Sequence, residues 1–109
     1  MNPAWLVAYF FGAVFLTNAV PHFVSGVMGR PFQTPFAKPP GEGLSSSSVN
    51  FFWGFANLVA GWALVARVGA FDPRSAWHVA AFGAGVLAIG AFSAKHFGRF
   101  NGGNAPERP

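Results

Sequence analysis

The stretch VNFFWGFANLVAGWALVARV, residues 49–68, decides how this chain folds. Its one charge, Arg67, stands near its end, and the rest is apolar but for Asn50 and Asn57. At about 1.5 Å per residue, a helix of this length covers roughly the 30 Å of a bilayer's hydrocarbon. Asn50, Gly54, Asn57 and Gly61 recur at spacings of four, three and four, which sets them on one stripe of such a helix. Phe51, Phe52, Phe55, Val59 and Trp62 fill the broad remainder. The first face is small and polar, suited to another helix; the second is bulky and suited to lipid or a large apolar partner.

Two more runs of the same kind flank it. The first covers residues 3–27, with Asn2 as N-cap and Pro3 in the first helical position, where the missing N–H does no harm. Pro21 inside that run is expected to kink the helix or to mark its frayed end. A secretory signal peptide is the competing reading of this run, and it is disfavoured because no Lys or Arg precedes the apolar stretch. The third run covers 73–98, introduced by Asp72 and Pro73 and closed by Lys95, His96 and Arg99, cations that complement the helix dipole. Small residues recur in both: Ala8, Gly12, Ala19 and Gly26 in the first, Ala76, Ala80, Gly83, Gly90 and Ala94 in the third. In lipid, apolar burial gives helices no reason to associate, so close backbone approach and interhelical hydrogen bonds must hold them. The sequence therefore predicts an all-α bundle of three transmembrane helices, 3–27, 48–68 and 73–98, in a single membrane domain. Gly12, Asn50, Gly54, Asn57, Gly61, Gly83 and Gly90 are its expected packing positions. The short link between the second and third runs predicts a tight antiparallel hairpin.

Composition agrees. Of 109 residues 52% are hydrophobic and 9% charged, against about a quarter charged in soluble domains. Seven cations against three acids give a net charge of +4, and Arg30, Lys38, Arg67, Arg74, Lys95, Arg99 and Arg108 all lie outside the apolar runs or at their ends, where cations meet headgroups. No basic cluster or nucleic-acid-binding signature accompanies them, so no nucleic-acid partner is expected. Five cations fall on the side of the first loop and the tail and two on the other, which predicts the N-terminus outside and the C-terminus inside. The absence of cysteine excludes disulfides and thiolate chemistry. The tail, 101–109, rich in Gly, Asn and Pro, is expected to be disordered.

The polar side chains within the runs admit two readings. Asn50 and Asn57 serve as interhelical glue, or Asn57, near mid-span, belongs to a polar pathway or touches a ligand. His22 and His96 fall on the same side. His22 is the one candidate cofactor ligand, through its imidazole. His78 is separated from His96 by a helical path of about 27 Å, too far for one centre to use both. No carboxylate lies within a run, and no His-x-x-x-His or Glu-x-x-His pair occurs, so no metal site is expected.

The first loop, 28–47, is the most distinctive segment. Pro31-Phe32, Pro35-Phe36 and Pro39-Pro40 recur every four residues, which predicts an extended, polyproline-like path with Phe32 and Phe36 as anchors to the membrane, the protein's own helix ends or a partner. With fourteen Phe, four Trp and one Tyr in so small a bundle, many rings must face outward. Phe32, Phe36, Phe51, Trp53, Phe55 and Trp62 are the expected partner contacts, toward other membrane subunits, lipid, pigment or quinone; no cofactor is required. Between Pro21 and Gly61 the chain resembles short three-span bacterial membrane proteins of unassigned function, in which a histidine-ended first helix leads through a Pro-Phe-rich loop into a Ser- and Asn-headed second helix. In size and architecture alone it is similar to the small accessory subunits of photosynthetic core complexes, which sit beside reaction centres and close light-harvesting rings.

With no acid–base pair, activated nucleophile, phosphate loop or metal cluster in the sequence, no enzymatic activity is expected. The leading expectation is a non-catalytic accessory subunit of an energy-transducing complex, photosynthetic or respiratory, in a bacterial inner membrane. The alternative is a homo-oligomeric channel or transporter with Asn18, Asn50 and Asn57 lining its path.

Overall fold

The computed structural model describes residues 2–107. Three long helices carry the fold: α1, Pro3–Val27; α2, Ser47–Ala66; and α3, Ala76–Asn101. With 25, 20 and 26 residues, each is long and apolar enough to cross a membrane. The described residues are all-α apart from two strands of two residues each, β1 (Phe32–Gln33) and β2 (Leu44–Ser45).

Local chemistry sets the helix ends. Asn2 Oδ1 accepts from the Ala4 N–H, and α1 then continues as helix through Pro21 to Val27. Ser46 caps α2 by accepting from Val49 N–H. Two boundaries of the third helix differ from expectation. Ser75, not Asp72, is the cap, its Oγ accepting from His78 N–H, while Asp72 Oδ1 turns back to accept from Arg74 N–H. At the other end α3 continues to Asn101 and stops at Gly102, whose φ of 83° is a left-handed conformation that glycine adopts without strain. The expected disordered tail is thus partly structured: Asn104 folds back, its N–H donating to Gly98 O and its Nδ2 to Lys95 O. Residues 108–109 of that tail, with Arg108 of the cation count, lie outside the described residues.

The arrangement of the helices also departs from the expected hairpin. α1 is the central helix, packed antiparallel against α2 and parallel to α3, and α2 and α3 form no packed seam with each other. The reason is the distribution of small residues. Along α1–α2 the two backbones approach until a Cβ on Gly54 would stand 2.5 Å from Phe23 N, one on Gly26 2.5 Å from Phe51 N, and one on Gly61 2.9 Å from Gly12 O. Along α1–α3 the close approach is at Gly85, where a Cβ would collide with the Phe10 carbonyl. Gly83, the expected packing position, meets open space, and Gly90 touches only Thr17 Cγ2, at 3.9 Å. Two residues along a helix turn by about 200°, so the face bearing Gly85 turns Gly83 away.

The Pro-Phe loop is not an open polyproline segment. β1 and β2 pair antiparallel, Phe32 with Ser45 and Gln33 with Leu44, and the turn between them is closed by Gly41 N–H to Thr34 O and by Glu42 and Gly43 N–H to Pro39 O. Gly41, with a φ of 74°, allows the reversal.

Candidate functional site

The polar side chains gather at one end of the bundle, where α1 ends, α2 begins and the loop folds over both. Asn50 is fully buried at the first turn of α2. Its Nδ2 faces the carbonyl oxygens of Phe32, Ser45 and Ser46, at 3.1, 3.2 and 3.0 Å, groups that only accept. That contact fixes the amide orientation and presents Oδ1 to His22 Nδ1 at 2.8 Å. His22 is therefore the donor, protonated on Nδ1, and Nε2 is the nitrogen left with a lone pair in the neutral ring. Phe32 and Phe97 pack edge-on around the imidazole, with centroids 5.4 and 6.3 Å away, and His22 is 2% exposed. The side chain named as a cofactor ligand is thus covered and ties α1 to α2.

Around this pair the loop is fastened to all three helices. Thr34 Oγ1 and Ser45 Oγ bond across the strand pair, and Thr34 Oγ1 also accepts from Phe36 N–H. Gln33, nearly fully buried, accepts through Oε1 from Asn101 Nδ2 at 3.2 Å. His96 Nε2 donates to Gly41 O at 2.7 Å. Phe36 packs on Trp53 with centroids 4.8 Å apart. Of the three surfaces considered for the loop, its own helix ends receive most of it.

Deeper in the bundle, about one turn along α1 and two along α2, Asn18 Nδ2 donates to Asn57 Oδ1 at 3.1 Å, and Asn57 Nδ2 to Trp53 O at 2.8 Å. Asn57 is buried against α1. At the opposite end His78 Nδ1 accepts from Asp72 N–H at 2.9 Å, pinning the α2–α3 link to α3, and Tyr9 packs tilted against His78 and edge-on to Phe71, with centroids 4.9 and 5.0 Å away. Tyr9 Oη and Trp53 Nε1 are buried without a hydrogen-bond partner among the described residues. Among the described residues no three His, Asp or Glu side chains gather to hold a metal ion.

The expected partner contacts divide. Phe36, Phe55 and Trp62 are exposed, at 60%, 54% and 55%. Phe32 packs inward on Phe97 at 4.7 Å, Phe51 tilts against Phe23 at 5.5 Å, and Trp53 lies beneath Phe36. These three are half-buried because the folded loop and α1 cover them. Phe52, at 67% exposed, joins the outward face instead.

Because α2 and α3 do not meet, a cleft of about 340 Å³ remains between them. Asn18 forms its floor, Trp53 one wall, Phe92 and Phe97 the other, and Pro40 and Gly41 its roof. Sequence reasoning passed over Gln33, Thr34, Ser45 and Asn101, which fasten the loop. The one available signal was the polar pair Gln33-Thr34 set between Phe32 and Pro35. No protein-family model, curated protein or solved structure matches this chain.

Proposed function

We propose that the chain is a non-catalytic accessory subunit of a larger complex in a bacterial inner membrane, an energy-transducing one of the photosynthetic or respiratory kind, with its N-terminus outside and the loop end in the cytoplasm. One observation carries this reading: His22, Asn50 and Asn57, buried between α1 and α2, are bonded to one another's side chains, to Asn18 and to backbone, while a row of large rings on α2, Phe52, Phe55 and Trp62, points outward. A scaffold whose intramembrane asparagines are bonded internally has few side chains left for chemistry, and an outward aromatic face is suited to a neighbouring subunit's helices or to the pigment or quinone that such subunits carry. The charge count supports the orientation, since Arg30, Lys38, Lys95 and Arg99 share the loop end.

The channel alternative needs asparagines free to line a path. Asn18 and Asn57 bond each other and Asn50 is fully buried in the loop contact, which weighs against it. Purification of the tagged chain from native membranes in mild detergent tests the proposal. Subunits of one large complex recovered in constant proportion support it, and a clean homo-oligomer overturns it in favour of the channel.

A further inference from the structure

We propose that the cleft between α2 and α3, together with the cationic face of α3 beside it, is a binding site for one anionic phospholipid. Two hollows make up the site. The cleft of about 340 Å³ reaches from Trp53 to Phe92 and His96. A second hollow of about 270 Å³, lined by Phe92, Lys95, His96 and Arg99, begins where the first ends, and the two share Phe92 and His96.

Their chemistry is split along one axis. Positions 92, 95, 96 and 99 fall at spacings of three, one and three, on one face of α3, so Lys95 and Arg99 stand beside each other above Phe92. Both cations are exposed at the helix end, and His96 is oriented by its bond to Gly41 O and by stacking on Phe92 with an interplanar angle of 9°. The deeper part, between Trp53, Phe92 and Phe97, is aromatic. A phosphate at Lys95 and Arg99 with an acyl chain directed into the cleft satisfies both halves at once. Arginine and lysine at this level pair with phosphate as charge-assisted donors, and the cation count assigns this end to the cytoplasmic side, whose leaflet carries a negative surface potential that attracts basic residues next to the membrane.

Entry comes from the membrane itself. α2 and α3 share no packed seam, so the cleft opens sideways toward lipid and not through the loop that roofs it. The proposal goes beyond the accessory-subunit reading and holds whether or not the chain joins a larger assembly, because the site is built from this chain alone.

The test uses the full chain reconstituted in phosphatidylcholine vesicles, with Trp5, Trp62 and Trp77 replaced by Phe so that Trp53 reports alone. Lipid with brominated acyl chains is titrated in from low mole fraction, as phosphatidylglycerol or as phosphatidylcholine. The brominated anionic lipid is expected to quench Trp53 at a lower mole fraction than the neutral one, and K95Q and R99Q are each expected to weaken that preference roughly five-fold. Equal quenching by the two lipids, or a preference that survives the double variant K95Q/R99Q, overturns the proposal. Native mass spectrometry of the chain with its four tryptophans intact gives an independent readout: a single phosphatidylglycerol retained in preference to phosphatidylcholine and lost in K95Q/R99Q supports the site, and no preference contradicts it.

Discussion

His22 on α1 donates its Nδ1–H to Asn50 Oδ1 on α2 at 2.8 Å, and the same asparagine holds the carbonyls of both loop strands. This contact joins the two helices to the loop that covers them. Replacing Asn50 with Leu strands a buried imidazole N–H and frees buried carbonyl oxygens. The expected loss is about 2 kcal/mol or more, read as a lower midpoint in SDS-mixed-micelle unfolding followed by circular dichroism. An unchanged midpoint would mean that the pair contributes nothing to cohesion.

The α1–α3 approach gives a paired test. Gly85→Leu forces a side chain against the Phe10 carbonyl and is expected to cost about 1–3 kcal/mol or more. Gly83→Leu enters open space and is expected to be neutral, or stabilising by up to about 1 kcal/mol through helix propensity. The same unfolding measurement separates them, and equal losses would contradict the assigned face.

Asn18 and Asn57 should behave as one unit. Each single change to Leu is expected to cost about 0.6–2 kcal/mol, and the double variant clearly less than the sum, because both singles break the same 3.1 Å bond. Additive losses in the double-mutant cycle would refute the pairing.

His96→Ala releases Gly41 O and one attachment of the loop to α3. With about 1 kcal/mol lost locally, the amides of Gly41, Glu42 and Gly43 are expected to exchange roughly five-fold faster while those of the three helices hold their rates. Hydrogen–deuterium exchange over residues 34–43 measures it, and unaltered loop rates would show that His96 does not fasten the roof.

The three helices were legible because each carries an unbroken apolar run of bilayer length, and because Asn50, Gly54, Asn57 and Gly61 draw a single stripe on α2. The face of α3 was not, since Ala80, Ala81, Gly83, Ala84 and Gly85 place a small residue in nearly every direction and spacing alone does not select one. The start of α3 was misread because Asp72-Pro73 repeats the cap-then-proline pattern of Asn2-Pro3; the cap is instead Ser75, and Asp72 is held by His78 and Arg74. The loop was least legible. Its closure depends on Gln33 with Asn101 and Gly41 with His96, pairs separated by 68 and 55 positions, which no local pattern of prolines encodes.

The most direct test of the proposed role places a photo-crosslinking amino acid at Phe55, on the outward face of α2, in living cells. The account predicts one dominant covalent product joining this chain to a different, larger membrane polypeptide. Crosslinks only to lipid, or only to a second copy of the chain, would contradict it.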